Sequence, residues 1–385
     1  MKRVNLVRLT ILTLICVLLA GCWDYIEIET LEFVFGLGVD RVTPEYIVIL
    51  EMVKTSGGGQ HAQVEPKVLS TSSGSVSSGG AALSNVAGLR AFWPHAYVFL
   101  MSEQVAREGI LDAVEYIARS RQVRGTVWVF VTKDCTVEEV FKSKPPVANS
   151  VSEHLNAISL MQENISGFIP LQVWELNQDL TKEGISPVLP TIRLVHERGE
   201  LVPVVEGTAV LKGDRMVGWL DGHESDILCL LKGVFERGFF VINTEVGEHG
   251  RFPITYEIVG NQVDIKPLVK DGRPAAAIKL TMQFGVEEVG RAPINFCDMQ
   301  QTDSVEAQLA THFKDRIREL LHKVQVEFNA DVLGIGQLFR RKQPEAWRHF
   351  GSDWDVYFPD LPVELEVRCQ VVLTGLSSAP LRVRD

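Results

Sequence analysis

The chain has 385 residues, 46% hydrophobic and 23% charged, with a formal net charge of −11. This length exceeds one ordinary core and fits roughly two or three domains, and the composition excludes wholesale disorder. Residues 1–21 carry three basic side chains and no acid; without them 35 basic residues face 49 acidic ones, a formal −14. That balance argues against a nucleic-acid binder, because phosphate neutralisation needs clustered Lys and Arg, and it leaves a membrane attachment to a hydrophobic anchor.

Lys2, Arg3 and Arg8 open the chain, the apolar run Leu9 to Leu19 follows, and Leu19-Ala20-Gly21-Cys22 ends it. The run falls short of the roughly 20 residues of a membrane-spanning helix and suits a secretory signal. The four-residue ending matches the bacterial lipobox, in which the cysteine thiol is the nucleophile that accepts lipid. Each buried methylene contributes about 0.8 kcal/mol, and two chains anchor stably where one does not. Residues 1–21 are therefore expected as a lipoprotein signal peptide, Cys22 as the lipidation site and membrane lipid as its partner. A plain cleaved signal or an uncleaved anchor helix is the competing reading. Cys135, Cys229, Cys297 and Cys369 are scattered without a CxxC pair, which excludes a zinc ribbon or thioredoxin site. Cys369 is expected as a buried free thiol; the pairing state of the four stays open.

In chain order, Leu31 to Val39 alternates, with Leu31, Phe33, Phe35, Leu37 and Val39 on one face, and Tyr46 to Val53 is a second β-rich run. The turn-like Arg41 to Glu45 joins them as a hairpin. Gly36-Leu37-Gly38 lacks the third glycine of a dinucleotide fingerprint and reads as backbone packing. Ser56 to Gly80 reads as a flexible loop or loosely ordered strand pair, Ala81 to Ala91 as a short helix and His95 to Met101 as a strand. A helix from Ser102 places Ile110, Leu111, Val114, Ile117 and Ala118 on one face, ending in the small basic patch Arg119, Arg121 and Arg124. Val127 to Val131 is a strand, and Thr136-x-x-Glu139 and Ser150-x-x-Glu153 are capping boxes.

Pro187, Pro190 and Pro203 mark a domain junction; Val204 to Leu211 and Met216 to Leu220 flank a Gly-Asp hairpin turn. Ile254 to Val259, Val263 to Leu268 and Ile278 to Val286 are strands. A helix from Ser304 to Phe328, capped by Asp303, carries the stripe Val305, Leu309, Phe313, Ile317, Leu320, Leu321, Val324 and Phe328. Val363, Leu365, Val367, Cys369, Val371 and Leu373 form one face of a last strand. The fold class is α+β: mixed and antiparallel sheets with packed helices, the second half one long helix laid on a sheet. The division is 1–21 signal, 22–200 N-terminal α+β region, 201–376 C-terminal α+β domain and 377–385 polar tail.

No HExxH, Walker loop or GxSxG occurs. His95 after Trp93-Pro94 has no ligand partner nearby. Gly222-His223-Glu224 offers one His-Glu pair, short of a metal site. Asp221, Glu224 and Asp226 could do acid–base work but read as a solvated loop. Trp347, Trp354, Tyr357 and Phe358 read as packing before a ligand pocket. No catalytic residue, cofactor or metal is expected, and the chain is not read as an enzyme.

Four stretches resemble the Ger(x)C family, the lipoprotein C subunits of spore germinant receptors: Gly21-Cys22-Trp23-Asp24 with Phe35 to Asp40; His95 to Arg124 with Glu103, Ala106, Gly109, Arg119 and Arg124; Glu206 to Lys212 with Val217 to Leu220 and Glu224; and Ala330-Asp331 to Gly336 with Trp354 and the strand ending Thr374-Gly375. The resemblance spans nearly the whole mature chain and departs near Ser70 to Gly80. It implies a lipid-anchored, non-catalytic subunit on the outer surface of the spore inner membrane. It further implies work with an A-type and a B-type membrane subunit in a receptor for nutrients such as amino acids or sugars. Whether this subunit takes the nutrient ligand stays open, and only Cys22 carries over as a functional position. The competing functions are a lipid-anchored solute-binding protein feeding a transporter, which predicts two similar lobes around a cleft, and a cell-wall hydrolase.

Overall fold

The computed structural model describes residues 31–56, 63–87, 90–161, 167–235 and 237–373; the signal, Cys22, residues 23–30 and the tail lie outside them. Two sheets organise the chain. The first has nine strands in the order β3-β2-β1-β5-β6-β7-β8-β9, with β4 paired to β1. Its strands are β1 (Leu31–Val42), β2 (Glu45–Ser56), β3 (Gln63–Ser73), β4 (Arg90–Phe92), β5 (Val98–Met101), β6 (Trp128–Thr132), β7 (Val188–Glu197), β8 (Glu200–Lys212) and β9 (Arg215–Leu220). β1, β5, β6 and β7 run parallel, flanked by antiparallel hairpins.

Helices cover both faces of this sheet, so β5 and β6 are near-continuous apolar runs. Phe99, Met101, Val129 and Val131 meet α1 (Val76–Ala87), α2 (Glu103–Glu108), α3 (Leu111–Arg119) and α6 (Val173–Thr181). Val98, Leu100 and Phe130 meet α4 (Val137–Lys142) and α5 (Val151–Leu160). Thr136 and Glu139 form the expected reciprocal capping box, and Ser150 accepts from the Glu153 amide.

Several expectations are corrected. A bulge between Val34 and Gly36 breaks the β1 alternation. It sends Val34 into one core with Leu37 and Val39, while Phe35 stacks edge-on against Tyr97. The serine-rich segment is a regular antiparallel ladder over 63–73, and the helix after it starts at Val76 rather than Ala81. The helix expected from Ser102 is two, broken at Gly109 with φ 133°, which leaves Leu111 exposed. Pro190 and Pro203 lie inside β7 and β8, Pro190 at a bulge where the ladder is interrupted. β7 and β8 thus form one hairpin within a continuous sheet.

The second sheet is β10 (Gly238–Glu245), β11 (Arg251–Lys270), β12 (Arg273–Glu288) and β13 (Val363–Leu373), antiparallel except for the parallel β12–β13 pair. The two strands expected at Ile254 and Val263 are one long β11 with bulges. α7 (Gly222–Lys232) enters this half, and α8 (Met299–His322) lies across the sheet, burying Val305, Leu309, Phe313, Ile317, Leu320 and Leu321. The helix starts earlier than the sequence suggests: Asp298, not Asp303, caps it, and a π-turn at Lys323–Glu327 ends it. α9 (Ile335–Lys342), α10 (Pro344–Phe350) and α11 (Trp354–Tyr357) then lead to β13. Ile169, Val188, Val210 and Leu220 from the first half share one core with the second sheet and α8.

Candidate functional site

The residues singled out in the sequence fall mostly into structural roles. At Gly36 an added Cβ would lie 2.6 Å from Phe141 Cε1, and at Gly38 it would collide with Val137; the pair lets α4 rest directly on β1. Beside it, Glu51 on β2 reaches the first turn of α5, accepting from the Val151 and Ser152 amides at 3.0 and 2.9 Å. Burial pushes this carboxyl upward against those donors, which favour its charge. His95 packs against Phe33 and Phe92 at 5.4 and 5.5 Å between ring centres. Among the described residues no group of His, Cys, Asp or Glu is placed to hold a metal. Cys135, Cys229, Cys297 and Cys369 are free thiols, and burial raises Cys229 and Cys369 to about 12.

Asp221 and Glu224 cap α7 reciprocally, and Glu224 also accepts from the Lys323 ammonium at 2.7 Å at the end of α8. His223 is exposed. The acidic cluster is thus a clamp between two helices, a role its Asp-x-x-Glu spacing carries and the sequence reading missed. Trp347, Trp354 and Phe358 are buried with Phe339 and Phe350 in a small aromatic core, so packing is the outcome here rather than a pocket.

The most constrained polar group is Asp331. Its carboxylate accepts from the Ile335 amide at 2.9 Å, the Gly336 amide at 2.7 Å and the Trp354 indole at 3.1 Å. Its carbonyl accepts from the Ser186 amide at 2.9 Å, and the Gln337 amide donates to the Gly184 carbonyl at 2.8 Å. The Lys232 ammonium donates to the Val332 carbonyl at 3.0 Å. Burial pushes the Asp331 carboxyl up to about 6 against three donors, and burial lowers Lys232. This node ties the first half to the C-terminal helices. Each of its partners is remote or in the next turn, so only an Asp just ahead of a helix start signals it in sequence.

The four sheet edges differ. β3 carries Pro66 and exposed Lys67; β9 is covered near its start, where the Ile110 amide donates to the Asp214 carbonyl; the Val371 amide of β13 donates to Glu306. On β10, Phe239 and Val241 are 61% and 69% exposed, and the Glu245 backbone is held by the Gln308 amide at 2.8 and 3.0 Å.

Two family models match in order. "Spore germination protein N-terminal domain" covers residues 24–194, and "Spore germination B3/ GerAC like, C-terminal" covers residues 206–375. Spore germination protein KC of Bacillus subtilis (strain 168) is 22% identical over 400 residues, 97% of each chain. Spore germination protein A3 of the same organism is 25% identical over 380 residues, 95% of this chain and 97% of the relative. The crystal structure of the GerBC protein superposes with a TM-score of 0.56 at 16% identity, covering 91% of this chain and all of that one, a likeness of fold.

Proposed function

The chain belongs to the GerAC spore germination family, and from that membership we propose that it is the lipid-anchored, non-catalytic C-type subunit of a nutrient germinant receptor. The observation that carries the proposal is the pairing of two germination-family matches across residues 24–375 with the Leu19-Ala20-Gly21-Cys22 lipobox just ahead of them. Acyl chains on Cys22 hold the body at the outer surface of the spore inner membrane. Among the described residues no helix is long and apolar enough to cross a membrane. The body assembles there with an A-type and a B-type membrane subunit, and confinement to two dimensions raises its effective concentration beside them. Sheets of nine and four strands are unlike lobes, which speaks against a two-lobed solute-binding protein.

Cys22→Ala tests the anchor. The variant is expected to leave the membrane fraction of spores and to slow nutrient-triggered germination. A variant that stays membrane-bound and germinates normally sinks the proposal. Co-purification of detergent-solubilised A-type and B-type subunits with tagged wild-type protein tests the assembly.

A further inference from the structure

The reach of the tether and the direction of the parallel strands together select one end of the molecule. Eight residues separate Cys22 from Leu31. Nine peptide steps span at most about 30 Å, so the start of β1 stays within that distance of the bilayer, whereas the far end of this twelve-residue strand, about 40 Å further on, is not so confined. Gly36 is level with Val98, and Val98 with Trp128, so the segments entering β5 and β6 lie at that same end. Hydrogen bonds lock them together: the Tyr97 amide to the Phe35 carbonyl at 2.8 Å, the Trp128 amide to the Tyr97 carbonyl at 2.9 Å, and the Trp174 amide to the Gly125 carbonyl at 3.1 Å.

The chemistry of this end differs from that of the rest of an acidic protein. The loop before β6 presents Arg121 and Arg124, both exposed and without a carboxylate partner among the described residues, and the adjacent Trp174 is 45% exposed. Exposed Lys67 lies on β3 and Arg90 is placed there by its pairing with Leu31; the acids placed there by register are Glu32, which is buried, and Glu65, opposite Lys54. The opposite end gathers Glu45, Glu103, Glu108 and Asp112, answered by Arg41 on Glu108 and Arg107 on Glu103. Asp24, Glu27 and Glu29 of the tether are acidic, so the body's own arginines have to supply any attraction to phosphate.

We propose that the loop bearing Arg121 and Arg124, with Trp174 beside it, is a headgroup-docking face that seats the body on anionic phospholipid with the start of β1 toward the bilayer. The inference rests on the lipid-anchor reading: the anchor supplies proximity, the arginines and the indole supply orientation. Arg121 and Arg124 meet lipid phosphates, and the Trp174 ring takes the interfacial position that suits an apolar body with a polar N–H. The basic patch thereby has a use that its size alone, too small for nucleic acid, does not suggest.

The test uses the full lipidated protein in vesicles of phosphatidylcholine and phosphatidylglycerol, in a Cys297→Ser background, since the other described thiols are at least partly buried and their acidity is lowered by burial. A fluorophore is placed at Gln122→Cys in one protein and at Val42→Cys, at the far end of β1, in another; both native residues are exposed. A headgroup-borne quencher is expected to act at position 122 about twofold or more above position 42, and R121E with R124E to abolish the difference. Equal quenching at the two positions, or a difference that survives the charge reversal, overturns the proposal. Flotation with the same vesicles separates the two readings. Wild type that floats while Cys22→Ala does not, with equal quenching, defeats only the orientation; wild type that fails to float defeats the anchor and the orientation with it.

Discussion

The two sheets solve burial differently. The first is sandwiched: β5 and β6 send alternate residues into separate cores under α1–α3 and under α4 and α5. The second buries one face only, beneath α8, α7 and the α9–α11 cluster, and its other face is wet and laced with surface pairs such as Lys279–Glu366 and Arg368–Glu366 at 3.4 and 2.6 Å. Exposed pairs of this kind contribute little. A sheet covered on both sides spreads its stability over two helical layers, whereas the second sheet rests on one layer, α8 with α7 and, around Ile265, Ala276 and Val363, the aromatic cluster of α9–α11. The core under α8 also contains Val188, Val210 and Leu220 of the first sheet, so the weaker arrangement is braced by the stronger.

The sharpest way to break this comparison is Phe313→Ala. Phe313 is fully buried, with ring centres 5.3 Å from Phe240 and 5.6 Å from Phe284, and its loss is expected to cost about 3–5 kcal/mol in chemical denaturation. Because the core is shared, one transition should shift as a whole; a split into two transitions with the first sheet unaffected would refute the bracing. Gly38→Val forces α4 off β1 and is expected to cost about 2–3 kcal/mol, confined by hydrogen exchange to the α4–α5 face.

Asp331→Asn turns an amide N–H toward existing donors and is expected to cost about 2 kcal/mol. The sign of its pH dependence follows from a native carboxyl raised to about 6 from an ordinary 3.8. The native state holds a proton that the unfolded chain has lost, so this group's contribution to wild-type stability falls as pH rises between those values. The gap between wild type and Asp331→Asn, measured by denaturation at several pH values, should narrow over that range. Smallest is Thr136→Ala, about 1 kcal/mol for one cap, read from the thermal midpoint.

Features set by local spacing were legible in the sequence: the Thr136–Glu139 cap, the α8 stripe, the β1–β2 hairpin and the alternation of β13. Features set by one inserted residue or by distant partners were not. A single bulge reverses the parity of Phe33 and Phe35 relative to Leu37, which no periodicity count detects. β10 escaped because Phe239 and Val241 outside alternate with Phe240 and Ile242 inside, so neither face stands out as polar. Asp331 showed its position but not its role, since the segments it joins are brought together by the fold. Of the chosen functional position, Cys22, the sequence motif remains the support, because it lies outside the described residues.

One side-chain amide limits what the bare flank of β10 could accept. With the Glu245 peptide already satisfied by Gln308, the outward-facing peptides that remain are those of Phe239, Val241 and Asn243. Any visiting strand is thereby measured out to about five residues, with Gln308 as the stop at one end of the ruler.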